Sequence, residues 1–192
     1  MLEDLIISKT RVKLLELFLT NPGKIFHVRE LVRRVDEEIN AVRRELAHLE
    51  KKGLVSKEPR GNRLYYTLRR DYPLYFELTE IFAKTRGLGL DLLKNRAKLG
   101  RIKFVSLSGR FARHLAKEDP ELVDVLVVGE IVLPELALLI RAEEARRGQE
   151  INYTAMTEEE FAFRKKRRDP FIVAILSGSR VMVIGDEEEL LR

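Results

Sequence analysis

The sequence predicts an α+β protein of two units: a helical N-terminal unit closing on a two-stranded hairpin, and a small C-terminal α/β unit. Three observations predict it. Apolar residues recur at helical spacing up to Gly53, then switch to a period of two between Arg63 and Arg69. Beyond residue 100, strand-like apolar runs alternate with helical patterns, as in a small α/β or α+β domain. The net charge of +5 is also confined to one half: residues 1–87 hold 18 Lys/Arg against 13 Asp/Glu, whereas residues 88–192 hold 18 of each.

The elements of the first half follow in order. Ser8 is a good N-cap for a helix over residues 9–20, with Val12, Leu15 and Leu19 on one face and Leu14 and Phe18 widening it. The run Asn21-Pro22-Gly23 stops that helix. A short strand-like run, 24–27, leads into a helix over 28–35 with Val28, Leu31, Val32 and Val35 inward. After the acidic break at 36–38, residues 39–52 read as a longer helix with Ile39, Val42, Leu46 and Leu49 inward and Gly53 as its C′ residue. At 100° per residue, its opposite face carries Asn40, Arg44, His48 and Lys51, with the small Ala41 and Ala47 between them and Arg43 flanking. Asn and Arg are the side chains that make bidentate contacts to adenine and guanine edges. Two strand-like runs, 54–59 and 63–68, then flank Arg60-Gly61-Asn62, a sequence suited to a tight hairpin. Residues 41–70 hold 9 basic and 3 acidic residues, an electrostatic footprint for a polyanion.

The order helix, short strand, helix, turn, helix, hairpin resembles the winged helix-turn-helix domain of prokaryotic transcriptional regulators. The resemblance covers about residues 8–70, and "VRRELAHLEKKGLVSKEPRGNRLYYTL" carries most of it. It implies a recognition helix at 38–52 and a wing at 60–63. The implied DNA-binding residues are Asn40, Arg43, Arg44, His48, Lys51, Arg60, Gly61, Asn62 and Arg63. It also implies double-stranded DNA as partner and a homodimer. The helical pattern after the wing, with Tyr72, Tyr75, Phe76 and Phe82, is either the dimer interface or a helix packed on its own chain. Gly87-Leu88-Gly89 is the expected hinge, so the expected domains are 1–87 and 88–192.

In the second half, residues 101–108 read as a strand ending at Ser108-Gly109, residues 110–117 as a helix and 121–129 as a strand. Residues 133–147 read as a helix with Pro134 in its first turn, and 150–156 as a strand. Thr157 caps a helix, with Glu160 three residues on. Residues 169–176 read as a buried helix and 180–186 as a final strand. The basic run 164–168 reads as a solvated helix end facing the dipole, or as a second polyanion patch.

This order and spacing look like the minimal nucleotidyltransferase domain of the DNA polymerase beta-like superfamily, over about residues 88–190. The family motif is a Gly-Ser turn with a following Ala-Arg-Gly, two acids one residue apart on the next strand, and a third acid on a later strand. The resemblance implies a triphosphate on the turn and two Mg²⁺ ions on the acids. Here Gly109, Ala112 and Arg113 match, but Arg110 stands in place of the Ser and His114 in place of the last Gly. Leu122 stands in place of the first acid, Asp124 matches the second, and Asn152 and Tyr153 occupy the region of the third. Alternation points Glu121 away from Asp124, and Glu130 is expected past the strand end. One carboxylate of three cannot hold two hard cations, so no enzymatic activity and no cofactor are expected. Asp124 is expected to pair with Arg110 or Arg113, and a nucleotide or other anionic effector could be held by Gly109, Arg110, Arg113 and Asp124.

Composition narrows the remaining classes. With no Cys there is no disulfide, thiolate metal site or Cys nucleophile, and His27, His48 and His114 are too scattered for zinc. The N-terminus "MLEDLII" has acids where a leader has basic residues, and the longest apolar runs fall short of the ~20 residues of a membrane span. A cytoplasmic protein with no membrane partner is expected. Many Lys, Arg and Glu with a single Gln, Gln149, is the composition of a thermophile. Two rivals stand beside the regulator: an active nucleotidyltransferase modifying a protein or nucleic acid, and a winged helix used for protein contact.

Overall fold

The computed structural model describes residues 8–116 and 119–192; Met1–Ile7, read above for the absence of a leader, lies outside them. The chain is a mixed α+β protein with two sheets, and it divides into two compact units, Met1–Phe82 and Ala83–Arg192. Among the described residues, no helix is long and apolar enough to cross a membrane.

The first unit is ordered α1 (Lys9–Leu19), β1 (Phe26–His27), α2 (Val28–Val35), α3 (Ile39–Lys51), β2 (Val55–Arg60), β3 (Arg63–Leu68). The Ser8 hydroxyl accepts the Arg11 N–H and starts α1. His27 Nδ1 accepts the Glu30 N–H and starts α2, a cap that sequence reasoning missed. Asp36 ends α2 in the left-handed region (φ 51°), where Asp is among the better-tolerated residues. The three strands form one antiparallel sheet in the order β1-β3-β2. The core joins Val12, Leu15 and Phe18 of α1 to Leu31 of α2, Val42 and Leu46 of α3, and Tyr66 of β3. These lie on the faces that the helical and two-residue periods pick out, but Leu64, two residues before Tyr66, is 43% exposed.

Arg60 and Arg63 are Cα partners in the β2–β3 hairpin, leaving Gly61-Asn62 as a two-residue turn. Gly61 has φ 59°, and Asn62 does not share a positive φ, which fits a type II′ turn with Gly at its first central position. A Cβ on Gly61 would meet nothing within 4 Å, so substitution acts through the backbone alone. Gly61→Ala is expected to destabilise the first unit by ~1–2 kcal/mol. Denaturant unfolding followed by far-UV circular dichroism measures this; equal midpoints would refute the turn assignment.

Helix α4 (Tyr75–Thr85) contains the boundary between units. Tyr75 and Phe82, seven residues apart and so on one helical face, are buried in the first unit's core, and Tyr72 packs against it. This removes two of the four aromatics from the expected dimer interface. The expected hinge is also absent as a linker: Gly87–Lys94 is helix α5. The glycines serve close packing instead, since a Cβ on Gly89 would lie 1.9 Å from the Ala83 carbonyl oxygen.

The second unit continues with α6 (Arg96–Leu99), β4 (Gly100–Ser108), α7 (Gly109–Ala112), β5 (Val125–Ile131), α8 (Leu133–Arg147), β6 (Tyr153–Met156), α9 (Glu158–Lys166), α10 (Pro170–Ser177), β7 (Arg180–Ile184) and α11 (Glu187–Leu191). The sheet order is β6-β5-β4-β7; β5 and β6 are parallel and the other pairs antiparallel. One cluster on the sheet gathers Leu88, Leu92, Val105, Val127, Leu136 and Ile140; another gathers Phe104, Leu126, Val128, Phe161 and Ile172. Thr157 accepts the Glu160 N–H, as its capping sequence predicts.

Four expected elements differ. The helix expected over 110–117 is the single turn α7, because His114 takes φ 52° and ends it; Lys117 lies outside the described residues. The strand expected at 121–129 begins only at Val125, so Glu121 to Val123 do not alternate, and Glu130 lies within β5 rather than past it. The strand expected at 150–156 shortens to β6. Helix α10 is not buried: only Ile172 is, while Phe171 and Val173 are 40% and 49% exposed.

Candidate nucleic-acid interface

Helix α3 presents the residues that the sequence reading singled out. Val42, Leu46 and Leu49 are buried, and Asn40, Arg43, Arg44, His48 and Lys51 are all exposed. Arg43, Arg44 and Lys51 form no ion pair among the described residues, so their charges stay available to a polyanion. The helix is held in place from its other side. Glu45 accepts hydrogen bonds from Ser8 Oγ (2.7 Å) and Arg11 Nε (2.8 Å), which tie α3 to the start of α1. Burial alone would raise the Glu45 carboxyl, but those two bonds outweigh it and hold it below the usual carboxylate range. Before α3, Glu37 accepts from Lys13 Nζ (2.6 Å) and Thr10 Oγ1 (3.3 Å), fixing the α2–α3 turn on α1. The hydrogen bond from Lys13 holds the Glu37 carboxyl low.

The wing sorts its cations. Arg60 is neutralised within the hairpin: its Nε and Nη2 donate to the two Glu58 oxygens, each at 2.9 Å, and its guanidinium lies 5.3 Å from the Tyr65 ring centre. Lys57 pairs with Glu50 at 3.0 Å and Arg69 with Asp71 at 2.6 Å. Arg63 is exposed and has no ion pair among the described residues. Three exposed cations that sequence reasoning did not single out, Arg29, Arg33 and Lys52, likewise carry no ion pair among the described residues. The four-residue spacing of Arg29 and Arg33 on α2 was a signal available for them.

In the second unit, Ser108-Gly109 opens α7 as expected, but the Gly109 and Phe111 N–H groups are already used. Gly109 N–H donates to the Ser179 carbonyl at 2.6 Å, and Phe111 N–H donates to Ser108 Oγ at 3.2 Å. The approach is so close that a Cβ on Gly109 would lie 2.1 Å from Ser179 Oγ. Arg113 turns onto the same loop, donating to the Gly109 carbonyl (2.7 Å) and Ser179 Oγ (3.3 Å). Arg110 donates to the Ala116 carbonyl. Asp124 is 5% exposed and accepts the Asn152 N–H at 2.9 Å, while the Asn152 side chain donates to the Pro120 and Leu122 carbonyls. Asn152 is thus a neutral clamp on the chain before β5.

Gly109, Arg110 and Asp124 line a pocket of about 320 Å³; Arg113 is not among its lining residues. Glu121 and Leu122 line it together, against the expectation that Glu121 points away, because an irregular segment does not alternate. The register Ser108↔Arg180 brings residues 178–180 to the Gly turn, a meeting that no local pattern announces. His114, beside this turn, is held neutral: burial and then the Arg147 charge lower its pKa from 6.5 to about 4. Among the described residues, no three His, Asp or Glu side chains group so as to hold a metal ion.

No family model matches the chain, and no curated protein matches it. Among solved structures, reduced HlyU from Vibrio cholerae N16961 is similar at 24% identity, over 43% of this chain and 82% of its own length, with a TM-score of 0.34. A likeness of that size carries no argument.

Proposed function

We propose that this chain is a sequence-specific DNA-binding transcriptional regulator with a winged helix-turn-helix as its first unit. Helix α3 enters the major groove, and the wing meets the backbone or minor groove. The observation that carries the reading is the α3 face: five exposed donors, of which Arg43, Arg44 and Lys51 keep their charge unpaired among the described residues. That face is backed by a buried stripe and anchored through Glu45. Such a rigid element with unspent donors matches what base-edge readout needs. A homodimer, pairing two half-sites about one helical turn apart, belongs to the same reading.

The second unit, in this reading, is a nucleotidyltransferase-like fold without the metal chemistry, used in dimerisation, effector or partner binding. Its support is the strand, Gly turn, antiparallel strand and parallel strand order, together with the left-handed His114 where the family motif has Gly. Against catalysis stand Leu122 and Asn152 at two acid positions and the closure of the Gly turn on Ser179.

The test is a gel-shift of the full chain on genomic fragments over a salt series. Binding is expected to fall steeply with salt, since phosphate contacts release counterions. Absence of any shift at low salt would defeat the DNA reading. Incubation with labelled nucleoside triphosphates and Mg²⁺ or Mn²⁺ tests the rival enzyme; transfer of label, abolished by Asp124→Asn, would establish it.

A further inference from the structure

We infer that the pocket of the second unit is a binding site for a small, largely apolar molecule rather than a nucleotide. Its volume of about 320 Å³ lies at the lower end of the ~300–1,000 Å³ of ligand pockets. Its floor is the β4–β5 pair, where Ser106 and Leu126 are Cα partners. Phe111, Leu122, Phe171 and Ile175 supply apolar walls. Leu122 and Phe171 remain 40% exposed each, so their apolar surface faces water until something covers it.

A polar group sits at the floor. Ser106 is 4% exposed, and its hydroxyl makes no hydrogen bond to any described residue. That hydroxyl borders the pocket and leaves one donor and its acceptor lone pairs for a ligand. The site therefore suits an apolar body with one hydrogen-bonding group reaching Ser106. It does not suit phosphate. The Gly109 and Phe111 N–H groups are taken by Ser179 and Ser108. Arg110 is bound to the Ala116 carbonyl, Arg180 is bound to the Leu176 and Gly178 carbonyls and to Glu187, and the exposed Glu121 adds a carboxylate to the lining. The inference goes beyond the DNA-binding reading and does not depend on it.

The experiment titrates the full chain, without DNA, with N-phenyl-1-naphthylamine, an uncharged aromatic amine that fluoresces on leaving water. Saturable binding is expected. Ala174→Trp adds bulk from an exposed lining position of α10 and should weaken it about tenfold or more, equivalent to ~1.4 kcal/mol. Leu122→Glu, outside any helix or strand, should do the same and decides the matter if Ala174→Trp fails to fold. Excess ATP should leave the bound fluorescence unchanged. Lack of saturation, wild-type affinity in a folded variant, or displacement by ATP would each overturn the assignment.

Discussion

Arg44→Ala is expected to weaken binding to a preferred DNA site by ~1–3 kcal/mol and to relax preference at one base position. The size follows from how the side chain is presented. Arg44 is exposed, has no ion pair among the described residues, and stands on a helix whose opposite stripe, Val42, Leu46 and Leu49, is buried. Little reorganisation is then needed before the guanidinium meets a base edge. Arg63→Ala removes a cation of a different kind, at the wing tip. Its loss should weaken binding to all sequences alike and reduce the salt slope by ~1. Arg60→Ala should cost less than Arg63→Ala, because Glu58 already neutralises Arg60. Binding curves for the three variants across operator sequences and salt concentrations separate these outcomes. Identical profiles for Arg44→Ala and Arg63→Ala would show that α3 does not read bases.

The second large effect concerns pH. Burial and Arg147 bring the His114 pKa down from 6.5 to about 4 in the folded chain. Between those values the unfolded chain holds a proton that the folded chain does not. The stabilising contribution is therefore complete above pH 6.5 and is lost as pH falls towards 4. A shift of this size corresponds to a loss on the order of 3 kcal/mol across the window. His114→Asn removes the titration while keeping a residue that tolerates φ 52°. Thermal melts of both proteins from about pH 7 to about pH 4.5 should diverge, the wild type falling more steeply. Glu45 and Glu37 lose their stabilising protonation state as pH falls through their lowered pKa values, but they do so in both proteins and cancel. Parallel curves would refute the buried neutral histidine.

Local chemistry alone determined much of the first unit. Ser8, the 3.6-residue stripe of α3 and the Gly61 turn place their elements because each signal acts within a few residues. The exposed face of α3 was legible for the same reason: it is the complement of a buried stripe. Sequence could not tell which wing cations remain unpaired, because Glu58 and Arg60 meet only when the strand holds their side chains on one side of the hairpin. The second unit shows the limit more sharply. Gly109 reads from sequence as a phosphate turn, yet its N–H is taken by Ser179, seventy residues away. That contact depends on β4 pairing with β7, a long-range register that no window of sequence contains. The same pairing, with the irregular 121–123 segment held by Asn152, sets the pocket walled by Phe111, Leu122 and Phe171. Residue types at short spacing determined the helices, caps and exposed donors. Tertiary pairing alone decided which donors were already spent, because a hydrogen bond between distant segments forms only once both have been folded into place.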